Sequence, residues 1–175
     1  EVAKSLGGEV EIEDDLLEEI TYLVEYPTAF YGEFNKDYVK LPKEVVTTPM
    51  KEHQRYFPVS KDGKLLPYFI AVRNGDKHAI DIVKAGNEKV LEARLADALF
   101  FYDEDIKKPL ESFVENLKTV VFQAKLGTVY DKTLRIEKLA QDIVETLDEK
   151  EILNDTLRAA KLCKADLVTN MVFEF

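Results

Sequence analysis

Two β-rich runs on either side of an Asp-Gly pair constrain this chain more than any other feature. Arg55–Val59 and Leu65–Val72 are rich in aromatic and branched residues, and Ser60-Lys61-Asp62-Gly63-Lys64 separates them. Asp-Gly tolerates the positive φ angles of a tight turn, so the spacing predicts an antiparallel hairpin. Pro58 and Pro67 have no N–H to give a sheet ladder and suggest edge positions or strand starts. Asn74-Gly75 is a second turn signal, ending the strand.

Helical spacing surrounds this hairpin. Asp14 and Asp15 precede Leu16, Leu17, Ile20, Leu23 and Val24, which predicts a helix over about 15–25 that stops before Pro27. Residues 27–34 are aromatic-rich, with Gly32 as a break, and Pro42 fits the first turn of a short helix through Val46. Asp76 reads as the cap of a helix bearing Ile80 and Val83, Gly86-Asn87 as its interruption, and Asn87 as the cap of a second helix ending in Asp103-Glu104-Asp105. Pro109 opens another helix through Val121. Beyond Gly127 the pattern is helical until the last four residues, where a strand signal returns. The order predicts an α+β fold. A mixed module with the β-hairpin and packed helices occupies residues 1–126, and residues 127–175 open an all-α module.

The charge is large and uneven. The 175 residues hold 34 acids against 24 bases, a net of −10 that argues against a free nucleic-acid binder. Residues 1–40, however, carry 11 acids and 3 bases, whereas residues 43–84 carry 8 bases, 5 acids and both histidines. The acidity is mainly N-terminal, and the middle of the chain can present a local basic face. No apolar run approaches the ~18 residues of a membrane span, and no basic-then-apolar leader is visible. The start at Glu1 and the apolar end at Val172-Phe173-Glu174-Phe175 read as a segment of a longer protein. One cysteine, Cys163, excludes an internal disulfide and suits a reducing, cytoplasmic setting.

Few residues support catalysis. Cys163 lies in an apolar helical context and reads as a buried structural thiol. Neither a Gly-x-Ser-x-Gly elbow nor a phosphate-cradling Gly-x-x-x-x-Gly-Lys loop occurs. His53 and His78 are 25 residues apart, and the acidic clusters read as solvated helix ends, including the run from Glu11 to Glu19. The most suggestive stretch is Met50-Lys51-Glu52-His53-Gln54-Arg55-Tyr56-Phe57. Its cations can hold phosphates, its His and Gln can hydrogen-bond bases or sugars, and its aromatics can stack on a base. The alternative is that Tyr56 and Phe57 alternate into and out of a sheet while the charges solvate it.

Several stretches together resemble a family. They are Leu16 to Pro27, Leu41 to Val46, Thr48 to Phe57, Val72 to Gly75, Gly86 to Ala98, Phe100-Phe101-Tyr102 and Lys161 to Leu167. In that order they resemble the beta subunits of bacterial heterotetrameric glycyl-tRNA synthetases. The resemblance implies an α2β2 glycine–tRNA ligase. ATP and Mg are used by the alpha subunit's class II core, and the beta subunit binds and positions tRNA(Gly). It also implies that residues 1–126 are similar to the editing-type domain of phenylalanyl-tRNA synthetase beta chains. Residues 127–175 would be the first helices of an HD-like domain. An active HD hydrolase needs a His-Asp metal pair; Lys164-Ala165-Asp166 stands where that pair is expected, and no His follows His78. The expectation is a segment without catalytic residues, metal or cofactor of its own.

On this reading the tRNA-binding candidates are Lys51, His53, Arg55, Arg73, Lys77 and Lys84, because they cluster within 43–84 of an otherwise acidic chain. Two rivals stand beside it. One is a structural or subunit-interface segment that tRNA never touches. The other is a vestigial tRNA-editing hydrolase, which requires a pocket with convergent polar groups.

Overall fold

The hairpin turn is Asp62-Gly63, with φ of 51° and 75°, so both residues sit in the left-handed region that a two-residue turn demands. The computed structural model describes the backbone of residues 1–174 and the side chains of residues 1–172. The chain divides into two compact units, Glu1–Phe100 and Phe101–Phe175. The boundary anticipated at 126/127 therefore lies inside the second unit.

In chain order the first unit comprises α1 (Val2–Ser5), β1 (Glu9–Val10), α2 (Asp14–Leu23), β2 (Pro27–Glu33), α3 (Lys43–Thr48), β3 (Phe57–Lys61), β4 (Lys64–Asn74) and most of α4 (Ile80–Asp105). A π-helical turn, Pro49–His53, continues α3. The four strands form one antiparallel sheet in the order β1-β3-β4-β2. One face buries Phe30, Tyr56, Phe69 and Ala71 with Val46, Met50, Leu91 and Leu95. The opposite face buries Phe57, Val59 and Ile70 with Ala3, Leu16 and Ile20. A sheet covered on both faces explains why the strands read as nearly continuous apolar runs.

Three expectations change here. First, β2 is a full strand paired with β4 from Pro27↔Asn74 to Glu33↔Tyr68. Gly32 does not break it. A Cβ there would lie 2.2 Å from Cζ of Phe69, its cross-strand partner, so glycine makes room for that ring. Second, β4 is central, not an edge. Pro67 is tolerated because it lies one pair beyond the end of β2, where its carbonyl still accepts from the Phe34 N–H at 3.2 Å; on the other side the β3–β4 register shifts between Pro58 and Ser60, leaving Val59 opposite the stretch 66–68. Third, α4 runs through Gly86-Asn87 without interruption. The Asn87 amide donates to the Val83 carbonyl at 2.7 Å and its oxygen accepts from Tyr56. A tertiary contact thus holds in helix a pair that local preference reads as a stop.

The second unit contains a 3-10 run, Leu110–Thr119, where an α-helix was anticipated, then β5 (Val121–Gln123), β6 (Gly127–Thr128), α5 (Val129–Thr146), α6 (Leu153–Leu162) and α7 (Asn170–Glu174). Phe113, Val114 and Ala165 form its core with Tyr130, Leu162 and Val168. A capping box starts α5: Asp131 N–H donates to Thr128 Oγ1 at 3.2 Å and Thr128 N–H to Asp131 Oδ2 at 2.7 Å. Asp105 is more than a solvated helix end, because it accepts from the N–H groups of Asn170 and Met171 at the start of α7. The strand anticipated at the last four residues is replaced by α7 as far as Glu174, and Phe175 lies outside the described residues. Cys163 is exposed, not buried.

Candidate functional site

The stretch 50–57 turns a corner from helix to strand, and the corner is Arg55. The Tyr56 N–H donates to the Met50 carbonyl at 2.8 Å and the Arg55 N–H to the Lys51 carbonyl at 3.2 Å. Arg55 then takes φ of 56°, a left-handed value usually left to glycine at the end of a helix. Immediately after it, Tyr56 and Phe57 enter opposite faces of the sheet and are 5% exposed each. Tyr56 stacks on Phe69 at 4.5 Å and donates its hydroxyl to Asn87, and burial pushes that hydroxyl up to about 12. Neither aromatic is open to stack on a base; both belong to the core.

A cleft of about 390 Å³ opens at this corner. His53, Gln54 and Arg55 border it from the corner, Arg73 from the end of β4, and Ile20, Phe30, Val72 and Val83 supply apolar walls. Arg73 Nη1 donates to the His78 carbonyl at 2.8 Å, which fixes the guanidinium at the strand end. No carboxylate belongs to the lining of this cleft, and Glu19 reaches Arg55 from outside it. The contrast within the same unit is sharp. The hollow beside Lys51 includes Glu13, Asp15, Glu19 and Glu52, and one beside Lys84 includes Glu33, Glu88 and Glu92.

The six candidates therefore separate. His53, Arg55 and Arg73 share the cleft. Lys51 lines the neighbouring acidic hollow with Arg55; it is paired with Glu13, and its side chain is only 16% exposed. Lys84 lies 4.1 Å from the centre of the Tyr31 ring and 3.6 Å from Glu33 and Glu88, away from the cleft lining. Lys77 is exposed and makes no ion pair among the described residues.

The acidic run from Glu11 to Glu19 is not merely a solvated face. Glu11 pairs with Lys43 at 2.6 Å, Glu13 with Lys51, and Glu19 with Arg55 at 2.5 Å. The hydrogen bond from the Lys43 ammonium, helped by one from Ser60, holds the Glu11 carboxyl below the usual range. One acidic segment thus supplies counter-charges to the basic helix and corner. Gln54 was visible in the sequence only as part of the cluster, and the roles of Ile20, Val72 and Val83 were not. No local signal marks a residue that lines a cleft assembled from five elements.

Among the described residues no group of three His, Cys, Asp or Glu side chains is placed to hold a metal ion. No helix among them is long and apolar enough to cross a membrane.

A family model described as glycyl-tRNA synthetase beta subunit matches residues 1–175. The glycine–tRNA ligase beta subunit of Clostridioides difficile (strain 630) is 75% identical over 175 residues, covering 100% of this chain and 25% of the relative. That of Desulfitobacterium hafniense (strain Y51) is 56% identical over 176 residues, covering 99% of this chain and 26% of the relative. That of Oceanobacillus iheyensis is 53% identical over 173 residues, covering 97% and 25%. The chain spans about a quarter of the length of the curated relatives it matches. Full-length coverage by the family model and this level of identity leave one conclusion: the chain belongs to the glycyl-tRNA synthetase beta subunit family.

Proposed function

We propose that this chain is a tRNA-contacting part of a glycine–tRNA ligase beta subunit, which holds and positions tRNA(Gly) while an alpha subunit of an α2β2 assembly joins glycine to it in the cytoplasm. On this reading ATP and Mg²⁺ belong to the alpha subunit. The observation that supports it is the convergence of Arg55, Arg73 and His53 on one carboxylate-free cleft in a chain of net charge −10. A polyanion is attracted where guanidinium groups gather and repelled elsewhere on such a surface. The test is Arg55→Glu with Arg73→Glu in the full-length beta subunit assembled with its partner. Binding of tRNA should weaken at least about tenfold, and the salt slope should fall by about 2. Unchanged tRNA affinity in a protein with a native melting curve would refute the reading.

A subunit-interface role is the second reading. Leu139 and Ile143 on α5 and Leu147 at its C-cap are 61%, 58% and 66% exposed and recur every fourth residue, as a helix face awaiting a protein partner does. It predicts that Ile143→Asp impairs assembly of the enzyme and leaves tRNA affinity intact.

A further inference from the structure

We infer that the carboxylate-free cleft of the first unit accepts a single unpaired nucleotide of an RNA, with its phosphate on Arg55 and Arg73 and its base against the apolar wall. The inference rests on the tRNA-contacting reading and narrows it to one chemical unit. At about 390 Å³ the cleft has the size of a small-molecule site, not of a groove that follows a duplex. An inorganic anion would use the arginines alone and leave the partly exposed apolar side chains of Leu23, Val24, Val72 and Val83 uncovered. A nucleotide uses both, since it joins an anionic phosphate to a flat, largely apolar base.

The polar groups fit that unit. Arg73 is anchored through Nη1 to the His78 carbonyl, and the rest of its planar fork retains donors suited to phosphate oxygens. Arg55 gives its Nε to Glu19 Oε1 at 2.5 Å, and its two Nη groups, which make no hydrogen bond among the described residues, remain for the phosphate oxygens. Gln54, half-buried on the same rim, makes no side-chain hydrogen bond among the described residues. Its amide offers donors and an acceptor on one end, the pattern that reads a base edge. The base would meet aliphatic walls and the amide, because Tyr56 is already stacked on Phe69 inside the core.

The test uses the full-length beta subunit titrated with the four nucleoside 5′-monophosphates, with inorganic phosphate, and with a short oligoribonucleotide as single strand and as duplex. The expected result is saturable binding of at least one monophosphate that phosphate alone does not match, and preference for single strand over duplex. Arg73→Gln should weaken it about tenfold, as loss of a charged hydrogen-bond donor does. Leu23→Trp should abolish it, because Leu23 lines the cleft yet is 57% exposed, so a larger ring blocks the cleft without invading the core. Phosphate binding as well as the nucleotides, or nucleotide affinity unmoved by Leu23→Trp, would overturn the inference. Monophosphates bound with single-stranded RNA rejected would also overturn it, by assigning the cleft to a free nucleotide. If tRNA affinity falls with Arg55→Glu and Arg73→Glu but ignores Leu23→Trp, the nucleotide pocket fails and the tRNA-contacting reading stands. Nucleotide and single-strand binding in a protein that does not bind tRNA would do the reverse.

Discussion

Replacing Glu19 by glutamine should tighten tRNA binding, although Glu19 lies on an acidic helix outside the sequence cluster that suggested the site. Arg55 Nε donates to Glu19 Oε1 at 2.5 Å, and each side chain is 45% exposed. An ion pair so open to water is worth about 0.2–1 kcal/mol. A phosphate arriving at Arg55 competes with the carboxylate for the guanidinium, so up to that amount is lost from its binding. Glutamine keeps the size and can still accept a hydrogen bond, but it no longer competes as a charge. At about 1.4 kcal/mol per tenfold, the gain is at most about fivefold at low salt. The assay is filter binding of tRNA to the assembled full-length enzyme between about 50 and 200 mM KCl, with the gain shrinking as salt rises. Folding stability should fall by less than about 1 kcal/mol. Equal or weaker tRNA affinity for Glu19→Gln at low salt, with the melting curve preserved, would refute the idea that α2 competes with the ligand.

Three further outcomes are expected. Gly32→Ala places a methyl group 2.2 Å from the Phe69 ring, which is itself held by Tyr56, and should cost at least about 2–3 kcal/mol, lowering the melting temperature by roughly 10 °C; an unchanged melt would contradict the close approach. Burial raises the hydroxyls of Tyr56 and Tyr38 to about 12, with Glu92 adding to the effect at Tyr38. Their neutral forms are favoured in the fold, so this stabilisation is complete below the unfolded tyrosine value of about 10 and disappears as pH rises through about 12. Urea unfolding across that range should show the decline, and Tyr56→Phe should flatten its share while costing about 1 kcal/mol at neutral pH through the lost Asn87 bond; a profile parallel to the parent's would count against it. Cys163, being exposed, should react with a thiol reagent in the native protein without denaturant, and protection until denaturation would contradict its placement.

The parts of the fold that sequence made legible are those decided by near neighbours. Asp62-Gly63 announces its turn, Asp14-Asp15 opens α2, and Pro42 precedes α3, each through local φ preferences or a helix-end charge. Gly32 and Asn87 were misread for one reason. Each is a local breaker whose real partner is distant in sequence, Phe69 for the first and Tyr56 for the second. The candidate site divides in the same way. The basic stretch 50–55 is visible as composition, but its pairing with Glu13 and Glu19 joins residues 38 and 36 apart, which no periodicity reports. Cys163 sat in an apolar stretch, yet which side of a short helix faces inward depends on packing partners, not on the stretch itself.

The irregularity opposite Val59 has a further effect. A regular ladder continuing from Lys61↔Lys64 and Ser60↔Leu65 would bring Phe57 against residue 68, whereas the chain sets Phe57 against Ile70. The offset is two residues. An even slip keeps every side chain on its own face, so both cores are indifferent to it. The far end of the strand is not, because two residues advance it by about 6.6 Å. That advance brings Arg73 back toward the corner where Arg55 stands. The irregularity opposite Val59 thereby sets how far along the sheet the two arginine-bearing ends stand from one another, and it does so without disturbing either hydrophobic interior.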